Sequence, residues 1–215
     1  MADNQVKNDG YSDGQIKAIE RSLSTDRFNS YLIHAKGDKN KAIRLYEYNT
    51  EVSEALFGVV QGLEVTLRNS MHRILQKQIG AENWYEKIPL QEPESESLQE
   101  ARKTIDDLNK TVTASRLIAR LSFGFWVRLT ASIYEKDLWV PHLYRAFPMR
   151  MVRSLLYKRL FNIKELRNQI AHHERIIRRD IETDYKELLE TIKWLCPTTC
   201  DWVKNTARFE KIKKP

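Results

Sequence analysis

From Val52 to Ile74, apolar residues recur at steps of three and four: Val52, Leu56, Val59, Leu63, Leu67, Met71 and Ile74. A strand buries every second residue, so this spacing fits a helix with one buried stripe along its length. Such a stripe has to be covered by other elements. Seven glycines and six prolines in 215 residues supply too few turns for a sandwich or barrel, and no stretch alternates usefully. The covering elements are therefore expected to be helices, and the fold class all-α. A chain of this length suits one domain, or one domain with an appended lobe, and is long enough for a substantial core.

The organisation follows from the breaks. Residues 1–10 are polar and read as a disordered leader. Residues 11–87 read as an N-terminal helical half, with short helices before a long core helix at 51–79; Lys41 to Asn49 reads as a separate helical piece. The long helix ends at Gly80 and Asn83. Residues 88–97 carry two prolines and several acids without apolar periodicity, and read as a linker. Residues 98–215 form a C-terminal helical half. It contains the aromatic patch Leu121 to Trp126, one or two consecutive helices from Met149 to about Ile177, and a helix over Asp184 to Trp194 stopped by Cys196-Pro197. Trp202 and Phe209 in the tail are expected to pack back.

Several classes are set aside. The first residues lack an apolar core of the signal-peptide type, and no apolar run approaches the roughly 18 residues of a membrane span. The expectation is a cytoplasmic protein with no membrane partner. Two cysteines, Cys196 and Cys200, do not make a four-ligand zinc site. No metal and no cofactor is expected.

Formal net charge is +7. Between Arg145 and Arg179 there are ten Lys/Arg against two Glu, a local excess of +8, so the rest of the chain is close to neutral. The candidate phosphate contacts in this block are Arg145, Arg150, Arg153, Lys158, Arg159, Lys164, Arg175, Arg178 and Arg179. A solvated helix face is the plainer reading of the same charges.

The block contains Lys-Glu-Leu-Arg-Asn-Gln-Ile-Ala-His-His-Glu-Arg, residues 164–175. On one continuous helix, Ile163, Leu166, Ile170, His173 and Ile177 share an apolar stripe. Asn168, His172, Arg175 and Arg179 share a polar one. His173 is then expected in the core and His172 on the basic face. Arg167 and His172 form an Arg-x4-His pattern suited to RNA cleavage: an imidazole moves protons near neutral pH, and a guanidinium stabilises a crowded phosphorane. Asn168 can orient either group. Five residues apart on an ideal helix is about 140°, which suggests a distorted helix or a site shared by two chains. The bare pattern is weak, because about one Arg-x(4–6)-His is expected by chance in such a chain, and Arg27 with His34 also fits it.

A second polar set lies on the long helix: Glu64, Arg68 and His72 at steps of four, with Asn69 beside them. The simple reading is an intrahelical Glu–Arg pair. The sharper one is that this face packs near the Arg-x4-His segment and orients it.

Five strings, in order, resemble the Abi-like (AbiF/AbiD-type abortive infection) family of the HEPN superfamily. They are Arg27–Tyr31 (RFNSY), Leu45–Asn49 (LYEYN), Leu63–Asn69 (LEVTLRN), Leu121–Phe125 (LSFGF) and Leu166–Arg175 (LRNQIAHHER). The resemblance spans roughly residues 20–180. It implies a HEPN-type helical bundle with additional N-terminal and C-terminal helices. It implies Arg167, Asn168 and His172 as the catalytic set, with His173 an alternative at x5. It further implies a homodimer that cleaves single-stranded RNA without metal, leaving a 2′,3′-cyclic phosphate and a 5′-OH, in anti-phage defence. A cognate small structured RNA, guide-like or antitoxin-like, is the implied partner. The competing expectation is a catalytically weak RNA-binding module that forms a ribonucleoprotein with such an RNA.

Overall fold

The computed structural model describes residues 10–148 and 151–215. The leader assigned to residues 1–10 therefore lies, Gly10 apart, outside the described residues, and so does Arg150. Among the described residues the regular elements are helical and no strand occurs. They are α1 (Asp13–Leu23), α2 (Thr25–His34), α3 (Lys39–Ile79), α4 (Glu92–Asp107), α5 (Ala114–Arg120), α6 (Phe123–Arg128), α7 (Arg153–Ala171), α8 (Ile181–Leu195) and α9 (Pro197–Thr206), joined by short 3-10 and π turns. The all-α expectation holds.

The chain divides into two compact units, Met1–Ala55 with Arg208–Pro215, and Leu56–Ala207. In the first, Ser12 opens α1 with a capping box shared with Gln15. Phe28 and Tyr31 are buried, and Tyr31 meets Tyr46 edge-on with ring centroids 5.1 Å apart. Burial pushes the Tyr31 phenol up to about 12. Phe209 packs inward as expected from the sequence, whereas Trp202, which belongs to the second unit, stays exposed.

Helix α3 runs for 41 residues rather than starting near 51. Asn49 and Thr50 look like a cap in sequence, but nothing between Lys39 and Phe57 breaks a helix. The Thr50 hydroxyl donates to the Tyr46 carbonyl and the Ser53 hydroxyl to the Asn49 carbonyl. The predicted stripe is buried from Val52 to Met71, but Ile74 is only half-buried and Leu75 takes the core position. In the second unit Leu63, Leu67, Met71 and Leu75 are buried, as are Trp84, Trp126, Leu156, Leu160, Leu166, Leu188 and Ile192. Each such aliphatic side chain contributes about 1.5–3 kcal/mol on burial.

The acidic linker at 88–97 is shorter than predicted. Pro93 sits in the first turn of α4, where its missing N–H costs no hydrogen bond, and Glu92 and Glu94 complement the helix dipole. Only 88–91 remains a connection. Glu94 is buried, accepting from Arg128 Nε and the Tyr134 hydroxyl, while the Tyr134 oxygen accepts from the Gln91 N–H at 2.8 Å.

Cys196-Pro197 ends α8 and also starts α9, with Pro197 in its first turn. Helix α9 then crosses α3 closely. A Cβ at Gly62 would lie 2.7 Å from Val203 Cγ2, and Val203 is itself buried. Gly62→Ala gains about 1 kcal/mol of helix propensity. It loses about 1–3 kcal/mol to overpacking against a stiff β-branched neighbour. The expected outcome is a net loss of about 1 kcal/mol in urea unfolding, with Gly58→Ala, which meets nothing within 4 Å, stabilising instead.

Candidate functional site

The Arg-x4-His segment does not lie on one helix. Helix α7 ends at Ala171. His172 is its cap residue, with its N–H donating to the Asn168 carbonyl at 2.9 Å. His173 has φ 56, in the left-handed region. Its N–H donates to the Ile170 carbonyl at 3.0 Å, and the Glu174 N–H donates to the Gln169 carbonyl at 2.8 Å. This is a Schellman turn, and it satisfies carbonyls that a helix end leaves open.

Three sequence expectations change as a result. His173 is exposed, not in the core, because the apolar stripe stops at Ile170 and resumes at buried Ile176 in a separate 3-10 turn. Arg175 and Arg179 are not on a helical stripe with Asn168 and His172, since both lie beyond the turn. The 140° separation of Arg167 and His172 no longer applies, because the helix ends between them. His172 is exposed and Asn168 half-buried.

A histidine at the left-handed position is under backbone strain that glycine would not carry. His173→Gly is expected to raise unfolding stability by about 0.5–1 kcal/mol, read as a higher midpoint in thermal unfolding.

Arg167, on the last turn but one of α7, donates through Nε to Glu64 Oε1 of α3 at 2.9 Å. The two residues are 103 positions apart. Both side chains are about one-third exposed, 36% and 28%, so the pair adds at most about 1 kcal/mol to stability. Its consequence is directional. Nε is committed to the carboxylate, and the Nη pair is the part of the fork that a phosphate would take.

Glu64 is thus the member of the α3 polar set that reaches the motif. Arg68 bonds its neighbour Asn69, Nε to Oδ1 at 3.2 Å. His72 turns to another task. Its Nδ1 accepts from Trp84 Nε1 at 2.9 Å, and burial, opposed by the nearby Glu82 charge, holds its pKa below the usual histidine value of 6.5. The folded state therefore prefers neutral His72, while the unfolded chain takes up its proton first as pH falls. This contribution is fully present above pH 6.5 and is lost as pH drops below it. Thermal unfolding should show a midpoint that declines between pH 7.5 and 5.5. His72→Gln, which keeps an acceptor for Trp84 without titrating, should flatten that decline.

The basic block is less free than its sequence suggests. Arg153 is mostly buried, donates to the Thr130 carbonyl at 2.9 Å, and pairs with Glu135 at 3.2 Å. Arg159 lies between Glu187 at 3.7 Å and Glu190 at 2.9 Å on α8, with its guanidinium 4.5 Å from the Trp194 ring centroid. Arg179 grips Asp184 through two bonds, at 2.7 and 2.8 Å. Lys164 pairs with Glu165 at 3.2 Å and lies over Phe161. Arg145 covers Tyr144 and donates to the Pro141 carbonyl. Lys158 and Arg178 are exposed, and Arg175 is half-buried. The excess of +8 counted along the chain omitted Glu64, Glu135, Asp184, Glu187 and Glu190, which fold against it. Arg153, Arg159 and Arg179 thus each have a carboxylate partner within the fold.

Sequence reasoning missed Asp184 and Gln169 as members of this region and Trp84 as the partner of His72. Asp180 carried a signal, because Asp is a favoured helix N-cap residue. Its carboxylate accepts from the Thr183 N–H at 3.1 Å and from the Thr183 hydroxyl at 2.8 Å.

Cys196 and Cys200 are free thiols. Among the described residues no helix is long and apolar enough to cross a membrane. In comparisons with known proteins, no family model, no curated protein and no solved structure matches the chain. The class defined by fold and site is thus an all-α protein with an arginine and an exposed histidine at the C-terminal end of one helix.

Proposed function

We propose that this chain is a HEPN-type, Abi-like RNA-binding protein of phage defence, acting as a metal-independent endoribonuclease on single-stranded RNA. In this reading it works in the cytoplasm as a homodimer and associates with a cognate small structured RNA. The observation that carries the proposal is the end of α7. There Arg167 is oriented by Glu64 across the bundle, while His172 stands exposed one residue past the helix.

The roles follow from the groups. His172 exchanges a proton with the ribose 2′-OH or with the leaving 5′-oxygen. Arg167 offers its Nη fork to the non-bridging phosphate oxygens as charge builds on them. A second copy of the chain would supply the second imidazole, so that one acts as base and the other as acid. Lys158 and Arg178 are the exposed cations of the block that could follow the RNA backbone.

The test is incubation of the purified protein with end-labelled single-stranded RNA and the matching DNA, both in EDTA. RNA should be cut to give 2′,3′-cyclic phosphate and 5′-OH ends, and DNA should stay intact because it lacks the nucleophile. Equal cutting of both would remove the 2′-OH mechanism. Tight, salt-sensitive binding without cutting would favour the ribonucleoprotein module.

A further inference from the structure

We propose that Arg179 is a positioning residue for His172 rather than a phosphate ligand. It clamps the α7–α8 connection so that the exposed imidazole is held by its backbone. The kinetic part of this inference rests on the ribonuclease reading above.

The His172 side chain is exposed, so packing does not place it; the main chain on either side must. On one side is the Schellman turn, closed by the Gln169 carbonyl. On the other side the chain passes through buried Ile176, Arg179 and the Asp180 cap into α8. Arg179 is the residue that ties these parts together. Nε and Nη2 make a two-point bond to Asp184 in the first turn of α8, at 2.7 and 2.8 Å, and Nη1 reaches Gln169 Oε1 on α7 at 3.3 Å. Gln169 therefore holds the turn twice, with its carbonyl on Glu174 and its side chain on Arg179. The Arg179–Asp184 pair is largely buried, with side-chain exposures of 25% and 13%. Its guanidinium is also held above the usual arginine pKa, chiefly by the bond to Asp184. A planar two-point bond of this kind fixes direction as well as distance. An error of about 1 Å in a catalytic group can cost about a hundredfold in rate.

Two variants separate positioning from phosphate binding, because the alternatives predict different effects of Asp184→Asn: a lower kcat at unchanged RNA binding, or tighter RNA binding. Asp184→Asn keeps the shape and removes the charge that holds Arg179. If Arg179 positions His172, Asp184→Asn and Arg179→Ala both lower kcat on single-stranded RNA by about tenfold or more. KM stays within about twofold, and the salt slope of RNA binding does not change. Amide exchange at His173 and Glu174 speeds up by about tenfold in both variants. If Arg179 instead contacts phosphate, Asp184→Asn frees it and tightens RNA binding, while Arg179→Ala lowers the salt slope by about one. That pair of results overturns the proposal. Should Arg179→Ala fail to fold, the near-isosteric Asp184→Asn still decides. If the wild-type chain cuts no RNA, the ribonuclease reading falls by itself. Exchange at His173 and Glu174 then remains the test, and unchanged protection in Asp184→Asn would overturn the clamp.

Discussion

His172→Ala is expected to lower the single-turnover rate of RNA cleavage by about 10²–10⁴-fold while leaving RNA affinity nearly unchanged. That range is what one positioned acid or base contributes, and an exposed imidazole adds little to binding. Arg167→Ala should cost a comparable factor, because it removes charge from the phosphorane rather than from the ground state. Arg167→Lys should recover only part of the loss: the ammonium keeps the charge but cannot hold Glu64 and offer a two-nitrogen fork at once. Glu64→Gln should fall between the wild type and Arg167→Ala, since the guanidinium remains but loses its ionic tether. The ordering of these four variants, measured on one RNA at one pH, checks the roles assigned at the end of α7.

The largest stability effect is expected away from the site, at Glu94. Its side chain is 2% exposed and accepts from both Arg128 and the Tyr134 hydroxyl. Burial, followed by the bond to Glu94, raises the Tyr134 phenol far above its ordinary pKa, so this hydroxyl serves as a donor. Glu94→Ala leaves Tyr134 buried without its acceptor and opens a hole in the first turn of α4. The cost should be about 3 kcal/mol, near the lower limit for breaking a buried pair, because Arg128 can still turn to water. Tyr134→Phe removes both the donor to Glu94 and the acceptor of the Gln91 N–H, and should cost about 2 kcal/mol. Urea unfolding followed by circular dichroism measures both, as a lower midpoint at nearly constant slope.

The long helix was legible because its stripe is local. Spacings of three and four between Val52 and Met71 need no knowledge of what covers them. Its true start at Lys39 was hidden by Asn49 and Thr50, residues that often cap helices but here sit inside one, with Thr50 bonding back to the preceding turn. The 88–97 segment was misread for a related reason. Two prolines usually mark a connection, yet Pro93 occupies the one helical turn that tolerates it.

The motif region shows the opposite failure. Periodicity ran on through His173 and Ile177, and no glycine or proline marked the stop. The chain turns with a histidine in the left-handed position, a choice that residue preferences do not foretell. Charge was misjudged because it was counted along the chain. Arg167 meets Glu64 across 103 positions, and Arg159 meets acids 28 and 31 positions on. Glu64 could still be found from sequence, as a polar residue on the flank of a buried stripe. His72 could be named but not explained, because its role depends on the Trp84 N–H.

The most direct test of the central claim uses a single-stranded RNA whose main cleavage position has been mapped and then rebuilt with one 2′-deoxynucleotide there. In EDTA, the wild-type chain should cut the all-ribo strand, leave the substituted position intact and continue to cut elsewhere, while His172→Ala cuts neither strand at a comparable rate. Cutting at the deoxy position, or an undiminished rate from His172→Ala, would contradict the assignment of Arg167 and His172 to cleavage by 2′-OH attack.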